Sequence, residues 1–317
     1  MPTNDSASQD PGQRYAKATE KALARYETIV GDTGTQQPDD EAPTDQTVEE
    51  RLKTAVRADN LPGIQALLDN APDQAARQKL LETGLLESCR AGTLNSVKVL
   101  HAHGADIHAN NDWALRWAAK NGHLDVVEYL HANGADIRGS DDFALRVAAA
   151  NGHLDAAEYL HANGADIHAV NDEALRWAAE NGHLEVVQYL VDNDADIHAM
   201  YNEALRGAAA NGHLEVVHYL VDNGADIHTM NDWALRWAAK SGHLDVVHYL
   251  VDNGADIHAV NDEALRWAAK SGHMDVVRYL IDNGAEIDRL SEDQKQALDE
   301  YKIWMNKHQD CPKGLHS

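Results

Sequence analysis

The sequence predicts an all-α solenoid of about eight helix pairs, and three observations carry that prediction. From Asn111 to Leu290 the chain restarts at a constant interval, at Asn111, Asp141, Asn171, Tyr201, Asn231 and Asn261, with no insertion between copies. Within each copy the apolar residues recur at helical spacing, Leu115, Ala118 and Ala119 in one stretch and Leu124, Val127, Tyr129 and Leu130 in the next. Each stretch then stops at a glycine, as at Asn121-Gly122 and Asn133-Gly134, where the left-handed backbone that ends a helix is most easily adopted. A pair this small buries too little to fold alone and must stack on a neighbour. The small side chains of Ala118 and Ala119 let adjacent helices approach closely.

The elements follow in order. Residues 1–50 form an acidic N-terminal arm, expected to be largely disordered. Its stretch 31–46, GDTGTQQPDDEAPTDQ, has the composition of a flexible linker. Tyr15, Ala18, Ala22, Tyr26 and Ile29 share one face of a helix expected over 13–30, able to dock on the solenoid or on a partner. Residues 51–290 form the solenoid. Its most degraded copy is 52–70. In the next, Leu85, Ser88, Gly92 and Leu94 fall in the frame of Leu115, Ala118, Gly122 and Leu124. In the regular copies Asp112 and its counterparts precede the first stripe as N-caps. Residues 291–317 form a capping helix and a loose tail. Ser291 is its N-cap, and Leu298, Tyr301 and Trp304–Met305 lie at helical spacing to cover the last repeat.

The run GHLDVVEYL followed by NGADI resembles the ankyrin repeat, over about 52–290 and most specifically over 111–290. The resemblance implies helix pairs joined by a turn or hairpin and a concave binding surface lined by the first helices and the preceding turns. The family's period is about 33 residues, with a Thr-Pro-Leu-His opening. Here the period is 30 and the opening is Trp-Ala-Leu-Arg (113–116) or Glu-Ala-Leu-Arg (173–176). Three residues are missing between Ile107 and Asp112, so the projecting hairpin is expected to shrink to a turn. Near-identical copies of the GHLEVV type are similar to those of ankyrin proteins from giant viruses and from bacteria living inside eukaryotic cells. That resemblance implies a host-directed effector.

Charge excludes several functions. The 317 residues hold 27 Lys and Arg against 52 Asp and Glu, a net charge of −25, of which −18 lies on residues 111–290. Such a surface repels phosphate, so neither direct nucleic-acid binding nor attachment to an anionic membrane is expected. No stretch approaches the ~18 apolar residues of a membrane span. The N-terminal MPTNDSASQDPGQ lacks the basic start and apolar core of a secretory signal. Cys89 and Cys311 make no disulfide framework. The cytoplasm is the expected location, with delivery into a host cell by a non-Sec route as the corollary of the effector reading.

No catalytic motif, phosphate-cradling loop or metal motif is present, and neither enzymatic activity nor a cofactor is expected. The 19 histidines fall largely in fixed frames. His123, His153, His183, His213, His243 and His273 share one, and His108, His168, His198, His228 and His258 another. Equivalent positions lie on the order of 8–10 Å apart, too far to share a metal, so they read as turn and inter-repeat hydrogen-bonding groups. His101 and His103 form an isolated close pair. Arg116, Arg146, Arg176, Arg206, Arg236 and Arg266 recur without exception. An acid four positions earlier, Asp112 for Arg116, predicts a helix ion pair worth about 0.3–0.5 kcal/mol. Cys89 falls at a packed helix position, and Asp194 replaces a terminating glycine at small cost.

What recurs holds the stack, and what varies is free to read a partner. One variable position runs Trp113, Phe143, Glu173, Glu203, Trp233, Glu263. Another, one helical turn on and on the same helix face, runs Trp117, Val147, Trp177, Gly207, Trp237, Trp267. The turn before them varies through Ser140, Val170, Met200, Met230 and Val260, with Tyr201 beside Met200. Trp113, Trp117, Phe143, Trp177, Tyr201, Trp233, Trp237 and Trp267 are therefore the candidate partner-binding residues, aromatic side chains being frequent interface anchors. Packing between first helices is the competing role and stays open. The expected function is a non-enzymatic scaffold, acting as a monomer and binding a protein with a basic patch in a tryptophan-bearing acidic groove. The alternative is an acidic nucleic-acid mimic that blocks a DNA- or RNA-binding protein.

Overall fold

Thr47 caps the first helix, its Oγ1 accepting the N–H of Glu50 at 3.3 Å. The computed structural model describes residues 47–308. The helix expected over 13–30 and the tail 309–317 lie outside the described residues. The chain divides into the units Met1–Asp45 and Gln46–Ser317, and the described helices belong to the second. Eight pairs follow one another: α1 (Val48–Arg57) with α2 (Leu61–Asp69), α3 (Gln74–Ala91) with α4 (Leu94–Ala102), α5 (Ala109–Lys120) with α6 (Leu124–Ala132), and α7 (Gly139–Ala150) with α8 (Leu154–Ala162). Then come α9 (Ala169–Glu180) with α10 (Leu184–Asp192), α11 (Ala199–Ala210) with α12 (Leu214–Asp222), α13 (Thr229–Ser241) with α14 (Leu244–Asp252), and α15 (Ala259–Ser271) with α16 (Met274–Asp282). A 3-10 turn, Ile287–Arg289, leads into α17 (Glu292–His308). The described residues contain no strand and no helix long and apolar enough to cross a membrane.

First helices pack on first helices and second on second, which makes two layers with the core between them. Ala114, Leu115, Ala118 and Ala119 enter it from one side and Val126, Val127 and Leu130 from the other. Ala135 and Ile137, in the turn between pairs, complete it. Each fully buried leucine contributes about 1.5–3 kcal/mol. The expected stripe of the second helix shifts by one position. Val126 is interior, whereas Leu124 and Tyr129 are half-buried at the edge. The second pair also departs from the frame, because Asp73 accepts the Ala76 N–H at 2.8 Å and starts α3 early. The added turns bury Leu80 and Leu81.

The start of each regular first helix corrects two expectations. Asn110, Asn111 and Asp112 all lie in the left-handed region, with φ of 53°, 57° and 56°, and the right-handed helix begins only at Trp113. Asp112 is therefore not an N-cap, a position that needs extended backbone. With a shorter period than the family's, the chain reverses in a tight left-handed turn. The carboxylate instead accepts from His108 Nδ1 at 2.9 Å. Its counterparts also take a backbone N–H from the turn that follows their own helix pair: Asp172 that of Asp196 at 2.9 Å, Asp232 that of Asp256 at 2.9 Å, and Asn202 that of Asp226 at 3.0 Å.

The ion pair expected between Asp112 and Arg116 is absent here and at every counterpart among the described residues. The guanidinium turns back onto the left-handed turn. Arg176 donates through Nε to the Asn171 carbonyl (3.0 Å) and through Nη2 to that of Val170 (2.9 Å). Arg146, Arg236 and Arg266 each hold two successive carbonyls in the same way. Left-handed backbone costs roughly 1–2 kcal/mol per non-glycine residue, and this forked contact offsets part of it.

At the far end Ser291 and Gln294 form a reciprocal capping box, with bonds of 3.3 and 2.9 Å. Leu298 is fully buried, but Trp304 is 54% exposed, so it does not cover the last repeat as its spacing suggested. Tyr301 and Met305 on the same helix are half-buried.

Candidate functional site

The first variable position turns out to be coupled to the repeat before it. Arg146 pairs with Glu173, Arg176 with Glu203 at 2.8 Å, and Arg236 with Glu263. Where the next residue is aromatic the same arginine lies over its ring: Arg116 is 5.7 Å from the Phe143 centroid and Arg206 4.9 Å from that of Trp233. A carboxylate and an aromatic face both accept a guanidinium, so one invariant arginine tolerates both. Variation at this position is therefore partly a choice between two partners for Arg. The sequence carried the signal as an Arg in one copy followed, at a fixed frame of the next, by either Glu or an aromatic. Trp113 is the exception, since no cation lies over it among the described residues, and it is 37% exposed.

The tryptophans of the second variable position are half-buried and Val147 is buried, and the indoles of the two positions form two groups. Trp113 and Trp117 lie 6.4 Å apart and tilted. Trp233 stacks on Trp237 at 4.8 Å, and Trp237 meets the edge of Trp267 at 5.7 Å. Lys240 sits 3.7 Å above the Trp237 centroid, and Arg90 and Lys120 lie 4.6 and 4.7 Å from that of Trp117. The indole nitrogens of Trp117 and Trp237 are buried with no hydrogen-bond partner. Trp177 is separated from the second group by Gly207, where a Cβ would sit 3.2 Å from that of Glu180. Burial, and then the neighbouring Glu203 carboxylate, push the Glu180 carboxyl above its usual range.

The left-handed turns display a row of apolar side chains. Val170 is 41%, Tyr201 58% and Val260 42% exposed. All three have positive φ, at 56°, 60° and 54°. A β-branched residue there is a genuine outlier, and glycine would relieve the strain. Beside them Met200 and Met230 are half-buried and also left-handed.

The remaining polar groups bind the repeats to one another. His123 Nε2 donates to the Arg90 carbonyl at 2.9 Å, and His183 and His243 reach the carbonyls of Ala150 and Ala210 at 3.1 Å. Burial holds the imidazoles of His153 and His213 below their usual range. The recurring tyrosines bond backwards too, Tyr129 to His101, Tyr159 to His131 and Tyr189 to His161 at 2.8–2.9 Å. From Tyr219 the partner becomes an acid, Asp192, at 3.3 Å. The change of HA to VD at 191–192 was the visible sign of that switch. His103 takes Arg77 instead, so His101 and His103 serve different partners. No group of three or more His, Cys, Asp or Glu among the described residues is arranged to hold a metal ion. Burial pushes the Cys89 thiol up to about 12, far from the range of a nucleophile.

A family model of ankyrin repeats (3 copies) matches residues 52–141, 145–231, 205–291 and 235–311. Among solved structures, the crystal structure of the human ASB11 ankyrin repeat domain aligns with a TM-score of 0.54 and 26% identity. The alignment covers 62% of this chain and 96% of that one. No curated protein matches the chain.

Proposed function

The chain belongs to the ankyrin repeat family, whose repeats are protein-interaction modules, and on that premise we propose that it is a non-enzymatic scaffold that binds a protein on the edge formed by its left-handed turns and first helices. The observation that carries this reading is the row Val170, Tyr201 and Val260, apolar side chains kept exposed on backbone that disfavours them. Strain of this kind persists where the side chain has a use. Trp113 extends the row toward the N-terminal repeats. Trp117, Trp177, Trp237 and Trp267 act chiefly as packing beneath it, while Phe143 and Trp233 complete the arginine ladder. The net charge of −25 favours a partner with a basic patch and speeds encounter with it. The chain acts as a monomer in the cytoplasm. The similarity of its repeats to those of giant viruses and intracellular bacteria makes a host protein the partner class of choice. Nucleic-acid mimicry is less well supported, because Glu173, Glu203 and Glu263 on this face are each held by an arginine.

Photo-crosslinking tests the reading. A benzophenone amino acid at Tyr201 should capture one protein from host lysate, and the same group at Glu128 on a second helix should not. The combined variant Val170→Ser, Tyr201→Ser, Val260→Ser should lose that capture. Equal labelling from both positions would sink the proposal.

A further inference from the structure

The arginine ladder has one empty rung. In every regular junction the residue three positions after the variable one is Arg, and its guanidinium reaches the next repeat's Glu or aromatic ring. At the junction before Trp113 that frame holds Leu86. Between α3 and α5 the structure opens a cleft of about 220 Å³, lined by Glu82, Thr83, Leu86, Asp106, Asn110 and Trp113. Water takes up ~30 Å³ per molecule, so the cleft holds roughly seven, the scale of one long side chain. Trp113 shows the consequence. Trp233 lies between Arg206 at 4.9 Å and Trp237 at 4.8 Å, whereas among the described residues Trp113 has only Trp117 against its ring, tilted at 6.4 Å. Arg90 and Lys120, which could otherwise serve, lie over Trp117.

We propose that this cleft is a receptor for an arginine side chain of the protein partner, supplied from outside at the rung the chain leaves vacant. Its guanidinium stacks on Trp113 and faces the carboxylates of Glu82 and Asp106, both exposed. Among the described residues the Glu82 carboxylate is held only by Gln78 at 3.2 Å, and the Asp106 carboxylate accepts only the His108 N–H at 2.9 Å, so each keeps acceptor capacity. Arginine is favoured over lysine because a planar guanidinium stacks on a ring and forks toward two acceptors at once. The internal template agrees, since the chain's own ladder uses arginine alone. The inference rests on the reading that this face is where the partner docks.

The test uses the full chain labelled with 5-fluorotryptophan, with the Trp113 resonance assigned by Trp113→Phe, and N-acetyl-arginine methylamide as the probe. A saturable shift of Trp113 alone is expected. It should be about three-fold weaker with the lysine analogue and absent with the uncharged citrulline analogue. Leu86→Arg supplies the guanidinium in cis and should abolish the shift, while Leu86→Met should keep it. Glu82→Gln with Asp106→Asn leaves the packing intact and should weaken binding several-fold. No saturable shift by about 100 mM probe overturns the proposal. So does an equal response to citrulline or lysine, or an undiminished response in Leu86→Arg. If the probe fails while crosslinking from Tyr201 still captures a partner, only the arginine receptor falls. If both fail, the docking face itself is wrong.

Discussion

At the scale of single residues, polar groups that looked like local helix caps prove to join neighbours. Asp172 accepts from His168 Nδ1 and from the Asp196 N–H, both at 2.9 Å. Replacing it by Ala leaves both donors unpaired and should cost about 1–3 kcal/mol in urea unfolding. Asp172→Asn should cost less than half as much, because Asn202 already fills this role with bonds of 3.1 and 3.0 Å. Equal losses would mean that charge, not hydrogen bonding, holds the joint. Glu180 yields a pH prediction. Its carboxyl is raised by burial and by Glu203, so the folded chain holds that proton more tightly than the unfolded one. Stability is therefore lost as pH rises from the ordinary value of 4.5 through the folded value. Glu180→Gln should melt about 1–3 °C higher than the parent at pH 7. The gain should vanish below the ordinary carboxyl range. A gain that persists there would rule out titration of Glu180 as its source.

At the scale of elements, two kinds of glycine end the helices, and they should respond differently. A Cβ at Gly152 would lie 2.6 Å from His183 Nδ1, with φ at 76°. At Gly164 nothing lies within 4 Å, with φ at 101°. Gly164→Ala should thus cost only the backbone term of about 1–2 kcal/mol. Gly152→Ala should cost clearly more, because it displaces the ring that reaches the Ala150 carbonyl. Chemical denaturation of the two variants compares them directly. Asp194, at φ 72° in the frame of Gly164, already tolerates a side chain there. The helices themselves were legible, since Leu115, Ala118 and Ala119 recur at a spacing with one structural solution. The starts of the first helices were not. Asp112 before a helical stripe has the local chemistry of a cap, and only the left-handed turn, whose carbonyls the arginine of the same helix holds in its counterparts, decides otherwise. Likewise the candidate tryptophans stand out in the sequence as positions where the copies differ. Their division into exposed Trp113 and packed Trp117 or Trp237 depends on which neighbour lies over each ring, information held in the adjoining repeat.

At the scale of the molecule, every polar junction described joins a repeat only to its neighbour. Stability should therefore be greatest where both sides are covered and least at the ends. Hydrogen exchange read by mass spectrometry should find α9 to α12 protected longest and α1, α2 and α17 exchanging first. Earliest exchange in the central helices would contradict a nearest-neighbour stack. The acidic field acts over the whole chain at once, so partner association should slow steeply between low and physiological salt while dissociation changes little. The uniform joint has one further consequence. Because the His–carbonyl, Asp–amide and Arg–Glu contacts repeat with the period of the sequence, one whole copy can be excised or duplicated without leaving a mismatched seam. Tyrosine accepts either histidine or aspartate behind it, so even the change at 191–192 is no obstacle. The gene can lengthen or shorten this protein by unequal exchange, and each event would reset the distance between Trp113 and Val260 in whole-repeat steps.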